Sequence, residues 1–295
     1  MALSLENAPY EHWQFRHPGS GDLLRVVPER GGLVTGWRCG EQELLYFDAE
    51  RFRDPTLSVR GGIPVLFPLC GNLPPGRDLL PGATAPLAQH GFARTMPWRL
   101  AALAEGDGIA LELDATAATI ACFPWRFQLR LELRLQPSAL AITALIHHLE
   151  PLATDPAAAA GAGPMPFSLG LHPYLATSSL QDLRISGLPA ACLDQRTMTN
   201  ASTEGQLAEL ADGIDLLAGP AGAVRLEDPG ASRAITLELQ APLDLAVLWT
   251  DPPRPMLCLE PWTAPRGSLL SGDRLLALDR GDSLRLACTY RLSPL

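Results

Sequence analysis

The 295-residue chain contains no lysine; all 23 of its basic residues are arginines. That absence excludes a Schiff-base lysine and a lysine-bearing phosphate loop. An excess of positive charge is missing too. Against 32 acidic residues the formal net charge is −9, the wrong sign for a face that neutralises nucleic-acid phosphates, so no nucleic-acid partner is expected. A small anionic ligand stays open, because a few local arginines override a weak overall field. The six cysteines (Cys39, Cys70, Cys122, Cys192, Cys258, Cys288) stand singly, with no C-x-x-C. Such spacing suits neither a disulfide framework nor a zinc knuckle and reads as buried reduced thiols. No apolar run approaches the ~20 residues that span a bilayer. The opening residues, MALSLENAPYEHW, carry early acidic residues and no apolar core, so neither signal peptide nor membrane is expected, and the expected compartment is the cytoplasm.

What is abundant is period-two alternation. Phe127, Leu129, Leu131, Leu133 and Leu135 alternate with Gln128, Arg130, Glu132 and Arg134, the pattern of a strand with one wet face. Gln136-Pro137-Ser138 breaks it, and Leu140–Leu149 resumes it, which predicts a hairpin. Further strands are expected at Leu23–Val27, Leu44–Phe47, Ile109–Leu113, Ala234–Leu239, Leu245–Trp249 and Ser283–Leu292. The 26 glycines and 28 prolines supply turns between them. Helical signal is sparse. Leu207, Leu210, Ile214 and Leu217 recur at helical spacing within Glu204–Leu217; the segment is a helix or an irregular loop with one helical turn. Pro151–Pro166, rich in Ala, Gly and Pro, reads as a surface loop between strands rather than a domain boundary. The expectation is all-β: residues 1–295 as a single β-sandwich domain of antiparallel strands with few short helices.

Four segments carry residues that a core does not require. Arg60 precedes Gly61-Gly62 in S-V-R-G-G-I-P-V-L-F-P, with Asn72 following; such a turn can aim an arginine fork into a cleft, or merely end a surface strand. Gln89-His90-Gly91-Phe92-Ala93-Arg94 gathers amide, imidazole and guanidinium, which suits hydroxyl and oxyanion recognition but also describes an ordinary polar loop. His172 interrupts the apolar run L-G-L-H-P-Y; a lone histidine there is more often a satisfied core residue, although Pro173 pushes it to extended backbone and ends regular pairing. Glu260 lies in M-L-C-L-E-P-W, and glutamate is rarely buried unless paired or working.

In this order, R-G-G-I-P, Q-H-G-F-A-R, L-H-P-Y and C-x-E-P-W resemble the galactose mutarotase (aldose 1-epimerase) superfamily, from roughly Arg25 to Tyr290. The first two segments look more like its hexose-6-phosphate mutarotase (glucose-6-phosphate 1-epimerase) branch. The resemblance implies a supersandwich of antiparallel strands with the sugar on a concave sheet face. It makes Glu260 the catalytic base and His172 the catalytic acid. Arg60, Gln89, His90 and Arg94 fall to substrate binding, and the family's site aspartate falls on Asp215 or, second, on Asp194. The implied reaction needs no metal and no other cofactor. The implied partner is a small sugar or sugar phosphate, with the chain a monomer or weak homodimer. Trp262, Phe92 and Tyr174 are candidates to stack on a sugar ring, or equally to be core aromatics. Three features depart from the phosphate branch: Leu69-Cys70-Gly71-Asn72 lacks its aromatic residue, Pro173 follows the histidine as in free-aldose enzymes, and Thr263–Leu270 forms a polar tail. A mutarotase for free glucose or galactose is therefore the alternative, and a non-catalytic sugar-binding regulatory protein stands as one of another class. A glycoside hydrolase would want two positioned carboxylates, and only Glu260 stands out.

Overall fold

A computed structural model describes residues 3–150 and 163–295. Two large antiparallel sheets form the body. The first runs Arg184–Ser186, Val224–Asp228, Arg233–Leu239, Ser283–Pro294, Ala139–His148, Phe127–Gln136, Gly108–Asp114 and Arg99–Ala102 in spatial order. The second runs Thr199–Ser202, Ala191–Asp194, Asp215–Ala218, Leu245–Thr250, Met256–Trp262, Gly170–Leu171 and Val65–Leu66, with Tyr174–Ala176 also paired to Met256–Trp262. A five-stranded meander, Leu3–Glu6 through Gln42–Glu43, precedes them. Four short α-helices are present among the described residues: Ala49–Arg53, Ala117–Cys122, Thr203–Ala208 and Ser268–Ser271. The architecture is the all-β sandwich that the alternation predicts.

The hairpin Phe127–Gln136/Ala139–His148 shows why. Its apolar residues are buried at every second position, while Arg130 and Arg134 on the other face pair with Glu112, Glu132 and Asp107. Ser138 turns the corner with a φ of 53°. The inward leucines join one core cluster with Leu257 and Leu259 of the second sheet, and the Tyr290 hydroxyl crosses between sheets to donate to the Leu259 carbonyl at 2.7 Å. That bond anchors the strand carrying Glu260.

Two expectations need correction. Leu44–Phe47 is not a strand but two isolated bridges, Leu45 to Leu175 and Phe47 to Gly61, because it crosses the gap between meander and second sheet without a continuous partner. In Glu204–Leu217 the helix stops at Ala208, and Asp215–Ala218 is a strand. The leucine spacing there is no single helical face: Leu210 and Ile214 enter the main core, with Leu207 against it, while Leu217, on the strand, points to the opposite sheet face beside Val247 and Trp262. Most of the loop expected over Pro151–Pro166 lies outside the described residues; Met165 and Pro166 belong to a strand, Met165–Phe167, paired with Leu276–Leu278.

Beneath the second sheet Phe67 is fully buried and touches four rings: Phe92, Phe123, Phe127 and Phe167, at centroid distances of 6.0, 6.1, 5.0 and 5.8 Å. Its carbonyl accepts the Phe92 and Ala93 amides, so ring and backbone together hold the Gln89–Arg94 segment. Phe67→Ala is expected to lower unfolding stability by about 3–5 kcal/mol, the range for truncating a buried phenylalanine, with Phe67→Leu losing less; urea titration of both variants checks this.

Candidate active site

Period two places the site. Along Met256–Trp262 all seven residues are buried, yet only Leu257 and Leu259 join the main core; Met256, Cys258, Glu260 and Trp262 face the other way. Val247 lies opposite Glu260 in register, and Trp249 opposite Cys258. On that face opens a cavity of about 540 Å³ lined by Ser58, Arg60, Ala88, Gln89, His90, Arg94, His172, Tyr174, Asp215, Val247, Trp249, Glu260, Trp262 and Arg266. The volume suits a small molecule.

Glu260 is 1 % exposed. Its Oε1 lies 3.3 Å from His172 Nε2, and its Oε2 accepts the Trp262 indole N–H at 3.0 Å. Burial pushes the Glu260 carboxyl well above its ordinary range; the indole bond opposes this, and Asp215 adds to it. His172 is pushed well below its ordinary value, first by burial and then by His90 and Arg94. Its Nδ1 is buried and has no hydrogen-bond partner among the described residues. The ring stacks on Tyr174 (4.8 Å, 18°) and meets Trp249 edge-on, which fixes its plane. Burial favours the pair's neutral form, and together the two groups hold one shared proton.

His90 and Gly91 both have left-handed backbone, φ 63° and 71°. A Cβ on Gly91 would lie 2.1 Å from the Phe67 carbonyl oxygen, so only glycine fits. The kink turns His90 so that Nδ1 accepts the Gly71 N–H at 3.0 Å. Its pKa is pushed down to about 3 by burial, then by Arg94 and Arg266. The ring is therefore neutral, with its proton on Nε2; the Gln89 amide nitrogen 3.3 Å away is itself a donor and does not accept that proton.

The arginines differ in their occupancy. Arg60 Nε is 3.5 Å from Asp251 Oδ2, and Arg254 holds the same oxygen at 2.5 Å. Arg94 is half-buried, and among the described residues no hydrogen bond or ion pair occupies its side chain. Burial lowers its pKa, with Tyr174 and Glu260 opposing. Arg266, which the sequence reading did not single out, donates to Asp215 Oδ2 at 2.8 Å and to Gln195 Oε1 at 2.8 Å. Nothing in the polar tail after Trp262 marks it in the sequence. Of the two candidate aspartates, Asp215 lines the cavity, whereas Asp194 is turned to the Arg196 amide at 2.8 Å and does not. Tyr174 and Trp262 line the cavity; Phe92 is a core aromatic, stacked on Phe127.

Metal-ligand atoms of His172, Cys258 and Glu260 lie within 4.8 Å of one another. Burial holds the Cys258 thiol protonated, and the cavity presents three guanidinium groups. That donor set disfavours a cation and suits an anionic or hydroxyl-rich ligand. The arrangement offers a proton acceptor and donor side by side, a neutral imidazole N–H, and one unpaired guanidinium.

A sequence model described as aldose 1-epimerase matches residues 19–291. The crystal structure of the Slr1438 protein from Synechocystis sp. PCC 6803 is 34% identical, covers 96% of each chain and superposes with a TM-score of 0.85. A mutarotase-like structure from Salmonella typhimurium, 19% identical over 100% of this chain and 94% of that one, gives a TM-score of 0.75 and speaks to the fold alone. Proteins provisionally named glucose-6-phosphate 1-epimerase in Cenchrus ciliaris and Salmonella typhimurium are each 27% identical, over 54% and 61% of this chain. The matched stretch spans only about half of those relatives, 45% and 53% of their lengths.

A hydrogen bond to the ionised carboxylate favours that form, so losing it favours the protonated one. In Trp262→Phe, which keeps the ring and removes the N–H, the Glu260 carboxyl should titrate at higher pH than in the parent. Carboxyl ¹³C NMR, with Glu260→Gln identifying the resonance, checks the direction.

Proposed function

This chain belongs to the aldose 1-epimerase family, and on that premise we propose that it interconverts the α and β anomers of a hexose 6-phosphate by acid–base ring opening. The observation that carries the reading is the contact of His172 Nε2 with Glu260 Oε1, 3.3 Å apart on the floor of a sugar-sized cavity. Mutarotation removes the proton from the anomeric O1 and delivers one to the ring oxygen O5. The C1–O5 bond breaks, C1 becomes an aldehyde carbon, C1–C2 rotates, and closure on the other carbonyl face yields the other anomer. A pair holding one proton has the stoichiometry this needs: one base, one acid, no net proton consumed.

In the proposed step the sugar enters between the two groups, and each exchanges its mutual contact for a sugar oxygen. Glu260, ionised, takes the O1 proton; His172, protonated, gives one to O5; the roles reverse on closure. Burial favours the proton on Glu260 in the free site, and the short separation lets it cross to His172 as the sugar docks. Neutral His90 offers its Nε2–H, and the Asp215 carboxylate accepts from a hydroxyl.

Arg94 supports the phosphate. A half-buried guanidinium with no protein acceptor among the described residues is stabilised by binding an oxyanion, and its planar fork takes two phosphate oxygens at once. Arg60 lines the same cavity and adds a second charge. A free-aldose substrate is the second reading, favoured by Asp251, which lies 3.5 Å from Arg60 and, shared with Arg254, offsets part of its charge.

Magnetisation-exchange NMR between anomers tests both. Wild type should accelerate exchange of glucose 6-phosphate, and Glu260→Gln should lose ~10²–10⁴-fold of that acceleration. Arg94→Ala should raise KM for the phosphate ester by roughly 10- to 100-fold, the loss of charge-assisted hydrogen bonds, and leave exchange of glucose nearly unchanged. Acceleration of glucose alone selects the second reading. Binding of a sugar without acceleration of any aldose makes the chain a sugar-binding protein instead.

The pH dependence follows from the one-proton pair. At low pH a second proton must enter beside three arginines, which both burial of His172 and that positive field oppose, so the acid limb of kcat/KM lies below the ordinary histidine pKa. At high pH the last proton must leave a buried carboxyl, which burial of Glu260 opposes, so the basic limb lies above the ordinary carboxylate range. In kcat/KM the acid limb is therefore expected below the ordinary histidine value; an acid limb at or above pH 6.5 would contradict this.

A further inference from the structure

We propose that Arg266 is a positioning residue of this site, one side chain that fastens the three supports of the acid–base pair. This rests on the mutarotase reading and adds to it a residue outside the family motifs. Arg266 Nη2 donates to Asp215 Oδ2, and Nε donates to Gln195 Oε1, while Gln195 Nε2 returns a bond of 2.9 Å to Asp215 Oδ1. Both carboxylate oxygens are thus engaged in a closed ring of three side chains. The guanidinium lies 6.0 Å from the Trp262 ring, and Trp262 is the residue whose indole N–H holds Glu260. The stem of Arg266 crosses Gly71 so closely that a Cβ there would meet Arg266 Cγ at 2.3 Å. Gly71 in turn donates the amide that fixes the His90 tautomer. Nη1 reaches the Asn72 side-chain oxygen Oδ1 at 3.5 Å.

Each contact has a consequence. Asp215 is buried enough that burial pushes its carboxyl upward, and the Arg266 charge is the strongest influence opposing this. Without that charge the Asp215 carboxyl is pushed further up, toward a protonated form that is a weaker acceptor for a hydroxyl. Without the cation over its face, Trp262 has less to hold the indole toward Glu260. Without the stem across Gly71, the loop that orients His90 loses one wall. Lysine cannot substitute, because a single ammonium cannot reach Asp215 and Gln195 in a fork.

The test pairs a readout needing no reaction with one that does. In the free protein, the Asp215 carboxyl is followed by ¹³C NMR against pH, its resonance identified by Asp215→Asn. In Arg266→Gln it should titrate at higher pH than in wild type, with Arg266→Lys in between. In anomer exchange, Arg266→Gln should raise KM about 10- to 100-fold, the scale of lost charge-assisted bonds, and move the acid limb of kcat/KM to higher pH. Adding Arg266→Gln to Asp215→Asn should cost less than the product of the two single losses. An unchanged Asp215 titration with a lowered melting temperature makes Arg266 merely structural and overturns the proposal, as does full multiplicativity of the double variant. Should wild type accelerate no aldose, the mutarotase reading fails, and the Asp215 titration still decides whether Arg266 governs this carboxylate.

Discussion

A carboxyl group almost without access to water, Glu260, sits in the middle of a sheet, and much of the site is arranged around keeping it there. A bare buried carboxylate is costly, so the group needs partners on both oxygens. One partner comes from its own strand: Trp262, two residues on, points to the same face because strand side chains repeat with period two. The other comes from a different segment, the turn at His172-Pro173. Neither contact exists unless the register of Met256–Trp262 is right, since a slip of one residue would send Glu260 into the leucine core and Leu259 into the cavity. The Tyr290 bond to the Leu259 carbonyl guards that register from the opposite sheet.

The charges around this carboxyl are unequal in a way that gives the cavity direction. At one end Arg266 is tied to Asp215 and Gln195, a neutral and rigid arrangement fit to read hydroxyls. At the other, Arg94 has no partner among the described residues and Arg60 a shared one, which leaves net positive charge. Between them lies the His172–Glu260 pair, overall neutral while it holds one proton. A ligand with one anionic end and one hydroxylated end would complement that profile, whereas a ligand with charge at both ends would leave one end opposed. The overall charge of −9 says nothing of this, because local guanidinium groups act through a low-dielectric cavity and the surface carboxylates are screened.

How much of this was legible in the sequence depends on the range of the interaction. Alternation over Phe127–Leu135 and Leu245–Trp249 is local, and those strands appear at their expected places. Leu44–Phe47 has a strand's composition yet forms only bridges, since its partners are set by tertiary contacts far along the chain. Leu207, Ile214 and Leu217 keep helical spacing although Leu217, on a strand, faces the cavity side and the others the main core. The Arg60, Gln89, His90, Arg94, His172 and Glu260 positions were legible through short motifs, and all line one cavity. Arg266 was not: an arginine in a polar turn carries no signal until its partners, 51 and 71 residues away, are brought beside it. Phe92 erred the other way, an aromatic inside a polar motif whose backbone serves the site while its ring serves the core.

The His172–Glu260 pair also bears on why such a site would run equally well in both directions. Burial opposes both ionised forms, so the neutral arrangement and the ion pair differ by a proton moved across one hydrogen bond rather than by a proton exchanged with water. Trp262 pulls the balance toward the ion pair by bonding the carboxylate, and the desolvated, half-unsatisfied His172 ring pulls it back. An anomerase gains from contacts that oppose one another in this way, because ring opening and ring closure demand opposite proton positions. A site that held the proton firmly on either partner would be good at one half of the cycle and slow at the other. The opposing contacts on the two groups, rather than either group alone, are therefore what the fold has to supply.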